Sequence, residues 1–178
     1  SDNGPWNQDR YTKRKKGHPP GAIFWGEAGP LRNGKGSPYE GGYRLPCIVR
    51  WPGKVPAGRT SDAIFATIDF LPTLANLCGF EAPKDRRIDG IDQTKLLLGK
   101  TETGREDFYF NKAGIRLGKW KYLKPDAFFH GYAIEADRKK TDELYDLETD
   151  IGERNNLADK HPEIVAKLKA RMEAAEKN

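Results

Sequence analysis

Apolar residues in this chain come in short runs separated by long glycine-, proline- and charge-rich stretches, and the period of each run predicts its element. Leu45 to Trp51 is a compact apolar run with proline second, the pattern of a buried strand entered through an extended turn. Pro52 to Gly58 follows as a turn region. The stretch from Ala63 to Phe70 begins strand-like. It passes into a helix with Thr67 as cap and Asp69 in the first turn, where a carboxylate meets the positive helix end. Ile68, Leu71, Leu74, Leu77 and Cys78 keep a helical period, Pro72 falls early enough to be tolerated, and Gly79 is the expected stop. Asp89-Gly90 marks a turn, and Thr94 to Leu98 predicts a short helix closed by Gly99.

The polar stretch Thr101-Glu102-Thr103-Gly104-Arg105 reads as a boundary, dividing residues 1–104 from a smaller domain, 105–178. Beyond it come Phe108-Tyr109-Phe110, Ile115-Arg116-Leu117 and Trp120-Lys121-Tyr122-Leu123. Gly118-Lys119, a two-residue turn with glycine first, joins the last two into a hairpin. Glu143 to Leu147 supplies another alternating strand. Pro162 at a helix start, with Ile164, Val165, Leu168 and Met172 at helical spacing, predicts a C-terminal amphipathic helix over one face of the sheet. Strands joined by hairpins and followed by a helix make an α+β subdomain. Pro5 to Gly42 shows no sustained period and reads as long active-site loops, since loops of that length are functional or disordered.

Composition changes this picture in one respect. At 178 residues the chain is long enough for one core with a satellite. Its 37% hydrophobic content and mean hydropathy of −0.81 are low for an independent globule, while 11% aromatic residues and 19 glycines argue against disorder. A piece that leans on further sequence has this profile. No run approaches the roughly 18 apolar residues of a membrane span, and the N-terminus shows no charged and apolar signal pattern. Cys47 and Cys78 sit among apolar neighbours and are expected as free, buried core thiols. The formal charge is +5, with Lys13-Arg14-Lys15-Lys16 the densest basic run. That run is either a solvated loop or an electrostatic funnel for an anionic substrate or polyanion.

Candidate chemistry begins at Asp2-Asn3-Gly4. A carboxylate beside an amide carbonyl offers hard oxygen donors suited to calcium or magnesium. A calcium ion takes about 6–8 oxygens, so these residues cannot complete a site, and taken alone they read as an ordinary turn. Lys35 lies between Gly34 and Gly36, which let its backbone approach a ligand closely, and its ammonium is a compact donor for an anionic oxygen. Around it runs Gly29 to Pro46, followed by Arg50-Trp51-Pro52-Gly53, Asp69-Phe70-Leu71-Pro72-Thr73-Leu74, Asp89-Gly90 and Glu143-Leu144-Tyr145-Asp146-Leu147. These segments, in this order and over nearly the whole chain, resemble the formylglycine-dependent sulfatase family of the arylsulfatase A type.

The resemblance implies an α/β fold: the distal part of an alkaline-phosphatase-like sulfatase domain, then a small α+β subdomain with an antiparallel sheet and C-terminal helix. It implies hydrolysis of a sulfate ester to alcohol or phenol plus sulfate, with Asp2 and Asn3 as the later two calcium ligands and Lys35 contacting the sulfate. A divalent cation and an ammonium would both stabilise charge that grows as the ester breaks. Related two-metal phosphatases place histidine after the aspartate, so Asn3 favours a single-metal sulfatase over a phosphodiesterase or phosphonate hydrolase. His18, in the loop between the metal pair and Lys35, is a candidate for the substrate pocket. Arg44 is expected to be structural, pairing with Glu40 across Gly41-Gly42. His130 reads as peripheral and His161 as part of a helix start. Ile151 stands where the family commonly has proline, a departure that affects a turn.

No Cys/Ser-x-Pro-x-Arg-like motif is present around Cys47 or Cys78. The formylglycine, the earlier metal-binding aspartates and the upstream histidines and lysine are therefore expected in an N-terminal part of the same enzyme, without which the chain is expected to be inactive. By resemblance the compartment is periplasmic, secreted or lysosomal, and the partner a sulfated small molecule or glycan. The rival reading is a non-catalytic basic module that binds polyanions through Arg10, Lys13, Arg14, Lys15 and Lys16.

Overall fold

The computed structural model describes residues 3–6, 26–127 and 140–176. Two compact units emerge: residues 1–47 with 109–178, and residues 48–108.

In the first unit a single turn of helix, α1 (Glu40–Tyr43), lies on the segment that carries Lys35. In the second unit a 3-10 turn at Thr67–Asp69 leads into α2 (Phe70–Leu77), and α3 (Thr94–Leu97) follows. The chain then forms an antiparallel sheet of β1 (Asp107–Tyr109), β2 (Gly114–Leu117), β3 (Trp120–Leu123) and β4 (Glu143–Asp146), in that spatial order. Helix α4 (Pro162–Glu176) comes last. The predicted hairpin forms, with Leu117 opposite Trp120 and Gly118 at φ +57°, a turn angle that strains residues with a Cβ.

Both faces of this sheet are buried. Ile115, Tyr122 and Leu144 point to one side and pack against Val165, Leu168 and Met172 of α4. Proline at the first helical position costs no hydrogen bond, and the His161 carbonyl accepts the amides of Ile164 and Val165. On the other side Leu123 and Tyr145 cluster with Tyr39 and Leu147. The outer edge of β4 is closed by Asn156, whose Oδ1 accepts the amides of Leu144 and Ala158, and by the Leu157 amide on the Leu144 carbonyl. An exposed edge would otherwise invite another strand.

The 48–108 unit is organised around a buried carboxylate. Asp69 accepts the amides of Ala66 and Ile91, each at 2.9 Å, and Gln93 Nε2 at 2.7 Å, and it pairs with Arg105. Gln93 N–H in turn donates to Thr73 Oγ1 at 2.9 Å. Asp69 is thus the brace of this unit as well as an end-charge for the helix. Gly90 passes so close to the Ile68 carbonyl that a Cβ there would lie 2.0 Å from its oxygen, so glycine is required by this approach, and the turn expected at Asp89-Gly90 does not form.

Further expectations are corrected here. The Leu45–Trp51 run forms no strand and no pairing partner among the described residues, and Ile48 is 92% exposed. Its pattern records a demand for burial, but a strand also needs a neighbour for its backbone groups. Cys47 and Cys78 are free as expected, but exposed rather than buried. Thr67, expected as the helix cap, instead opens the 3-10 turn, and α2 starts at Phe70 with Asp69 at its N-cap. Ile68 in that turn and Leu71 and Leu74 in α2 are exposed while Thr73 is buried, so most of the apolar stripe lies opposite the unit's own core. With Phe80, which is 73% exposed, they leave this unit with an apolar surface.

Candidate active site

Lys35 sits on a loop whose backbone is cross-tied to the start of the chain. Its amide donates to the Pro5 carbonyl at 2.9 Å, and the Gly4 amide donates to the Gly42 carbonyl at 3.2 Å. A Cβ at Gly4 would lie 2.0 Å from the Gly41 carbonyl oxygen, and one at Gly41 would lie 2.2 Å from that of Asn33. Only glycine permits this approach. On either side of Lys35, Asn33 at φ +61° and Gly36 at φ +89° turn the chain, and Ser37 closes the loop by donating its amide and its hydroxyl to the Gly34 carbonyl. The half-buried Lys35 ammonium stands 5.3 Å from the centre of the Trp6 ring, within range of an attraction to the ring face.

The segment on both sides of Lys35 is clamped onto the sheet face opposite α4. Arg32 stacks 3.8 Å above the Tyr39 ring and donates to Tyr145 Oη at 2.9 Å and to the Glu153 carbonyl at 2.6 Å. The Tyr39 and Tyr145 hydroxyls both donate to Glu143, at 2.9 and 2.7 Å. Burial, reinforced by that carboxylate, pushes both tyrosines well above their ordinary range and keeps them as donors. Deepest of all is Lys121, fully buried on β3, with its ammonium 2.9 Å from Glu40 and 2.8 Å from Glu153. The Glu40 amide donates to the other Glu153 oxygen at 2.6 Å.

The two carboxylates divide in behaviour. Burial opposes ionisation of Glu40, but Lys121, with Arg116 and Arg44 each 3.8 Å away, outweighs it and holds the pKa below the usual range. For Glu153 burial dominates, and Lys121 offsets it only in part, so its pKa is raised. The expected pairing of Arg44 with Glu40 is present, but Lys121 is the closer partner.

Of the predicted site residues, Asn3 and Lys35 lie in the two segments that the Pro5 and Gly42 carbonyls tie together. Asp2 and His18 lie outside the described residues, as do His130 and the basic run from Arg10 to Lys16. Among the described residues no group of three or more His, Cys, Asp and Glu could hold a metal. Asn3 supplies one hard oxygen donor, which fits a contributor to a calcium site completed by other residues. The Lys121–Glu40–Glu153 cluster escaped the sequence reading. Its one local signal is a lysine inside an otherwise apolar strand, because its partners lie 81 and 32 positions away.

The pattern of the N-sulphoglucosamine sulphohydrolase C-terminal family matches residues 34–178. This chain belongs to the sulfatase family. It is 37% identical to the N-acetylgalactosamine-6-O-sulfatase of Bacteroides thetaiotaomicron, over 98% of this chain and 35% of that protein. Against arylsulfatase G of Rattus norvegicus the identity is 30%, over 91% of this chain and 33% of the relative. A solved Bacteroides thetaiotaomicron structure described under metabolism of multiple glycosaminoglycans superposes with a TM-score of 0.74 at 38% identity, covering 84% of this chain and 32% of its own. The sulfatase chain therefore spans about a third of the length of these relatives, and its four-stranded sheet with α4 is the C-terminal sulfatase subdomain. No helix among the described residues is long and apolar enough to cross a membrane.

Proposed function

We propose that this chain is the distal part of a calcium-dependent sulfatase that hydrolyses a sulfate ester, of a sugar or an aryl alcohol, to alcohol plus inorganic sulfate. The observation that carries the reading is the backbone tie between Lys35 and Pro5, which sets a glycine-flanked ammonium beside the Asn3 segment in a chain of this family. In this reading Lys35 donates to a nonbridging sulfate oxygen and neutralises charge that grows as the ester bond breaks. Asp2 and Asn3 would contribute oxygen ligands to a calcium ion, magnesium being the alternative, which when bound supplies further charge stabilisation. His18 would line the substrate pocket. Residues 1–104 would belong to the catalytic domain and 105–178 to the small subdomain.

The formylglycine nucleophile and the other metal ligands would come from an N-terminal part of the same enzyme. The exposed apolar surface of the 48–108 unit supports this partner, because Ile48, Leu71, Leu74 and Phe80 would be covered by it. A sugar sulfate is the favoured substrate, supported by the identity with an N-acetylgalactosamine-6-O-sulfatase. A periplasmic, secreted or lysosomal site of action follows from the same reading.

In the full-length enzyme, Lys35→Ala should cost roughly 100-fold in kcat/KM on a chromogenic aryl sulfate or a 6-sulfated amino sugar, the scale of losing one oxyanion donor. The chain alone should show no turnover. Undiminished activity of Lys35→Ala would remove Lys35 from the site, and turnover by the short chain would overturn the need for an N-terminal part.

A further inference from the structure

We infer that Lys121, Glu40 and Glu153 form a buried charge latch through which the C-terminal sheet positions Lys35, making all three positioning residues for sulfate ester hydrolysis. The inference rests on Lys35 being the sulfate contact. Lys35 lies between two attachments of its own segment: Arg32, stacked on Tyr39 and bonded to Tyr145 and the Glu153 carbonyl, and Glu40, held by Lys121 and by Glu153. Glu153 serves both, since its backbone receives Arg32 while its side chain receives the Glu40 amide and the Lys121 ammonium. The Gly41 amide donates to the Arg32 carbonyl at 2.9 Å, so the two attachments are joined to each other across the loop.

A core that needed only stability would be served as well by apolar side chains, because burying an ion pair gains little over good packing. What a charged cluster adds is direction. The Lys121 ammonium meets both carboxylates, hydrogen-bonded to Glu40 and ion-paired with Glu153, only when they stand where they do, and it also lies 4.3 Å from the Phe110 ring centre. A slipped loop would strand two carboxylates and an ammonium without partners. The latch therefore selects one placement of the Gly34–Ser37 turn, and with it one placement of the Lys35 backbone.

A double-mutant cycle in the full-length enzyme tests this. Lys121→Met should lower kcat/KM roughly 10-fold to 100-fold, the scale of misplacing a catalytic group by about an ångström. In the Lys35→Ala background the same change should cost less than about threefold, because there is no ammonium left to misplace. Equal losses in the two backgrounds, or no loss with Lys35 present, would overturn the latch while leaving Lys35 in its role. A silent Lys35→Ala would overturn both. If Lys121→Met does not fold, Tyr145→Phe carries the same cycle: it removes one hydroxyl from the Arg32 attachment and no charge. It is expected to give a smaller loss, again confined to the background that retains Lys35.

Discussion

The sheet of residues 107–146 and the unit of residues 48–108 use their apolar residues in opposite ways. In the sheet every residue of β4 is buried, because α4 covers one face and the Tyr39 segment the other. In the 48–108 unit the buried positions are largely polar, with Asp69, Thr73 and Gln93 inside and Ile48, Leu71, Leu74 and Phe80 outside. The first region can form its core from the residues of its own unit. The second is braced largely by hydrogen bonds, those of Asp69 foremost with those of Arg59 and Asn76 beside them, and presents most of its large apolar side chains to a surface that the rest of the enzyme is proposed to supply. An apolar pattern therefore specifies burial somewhere, and the bonding of the polar residues shows whether the covering partner is local.

The strongest way to break the comparison is at Asp69. Replacing it with alanine leaves Arg105 without its buried partner and removes the acceptor of the Ala66 and Ile91 amides. Removal of one member of such a pair typically costs about 3–5 kcal/mol. Urea denaturation followed by amide exchange should show residues 64–105 losing protection while the sheet keeps it. Loss of both regions together would mean that the two are not independently braced.

The matching test of the sheet is Leu168→Ala. Leu168 is buried against Ile115, Tyr122 and Leu144, and a cavity of this kind costs about 2–5 kcal/mol. The lower end is expected if α4 can settle inward, and a change below about 1 kcal/mol would show that α4 is not the cover of this face. Here the effect should appear in the strands and leave the Asp69 bonds protected.

How much of this was legible in sequence follows from the same contrast. The hairpin was, because Gly118 and the alternation on either side are local signals. So was α4, because Pro162 and the spacing of Val165, Leu168 and Met172 lie within one element. The Lys35 segment was legible from its glycines and its resemblance to sulfatases, although the bonds that pin it were not. Glu40, Lys121 and Glu153 carry no pattern that announces a meeting. The Leu45–Trp51 run and the two cysteines were misjudged for the converse reason: apolar neighbours in sequence imply a buried setting, and the described residues of the unit do not provide one.

Ile48 sharpens the comparison at smaller scale. At 92% exposure, its replacement by serine should change the stability of this chain by less than about 0.5 kcal/mol. In the full-length enzyme the same substitution should cost about 1.5–3 kcal/mol, the value of burying an isoleucine side chain. Paired urea midpoints on the two proteins give the answer, and equal small effects would mean that nothing covers this surface.

The smallest effect concerns the charge latch and depends on sign. A folded-state pKa raised above the unfolded value contributes stability at low pH that is lost as pH rises through it; a depressed one contributes stability that is lost as pH falls. Glu153, lifted by burial above its ordinary 4.5, belongs to the first kind. Glu40, held down by Lys121 and two arginines despite its burial, belongs to the second. Glutamine at 153 does not titrate, so the stability of Glu153→Gln relative to the parent should climb as pH rises above 4.5, the ordinary value. The slope is bounded at about 1.4 kcal/mol per pH unit for one proton. Urea midpoints of the two proteins measured across that range supply the difference. A flat or falling difference would mean that Lys121 holds both carboxylates ionised alike, and the latch would then be a symmetrical clamp in place of one firm and one yielding contact.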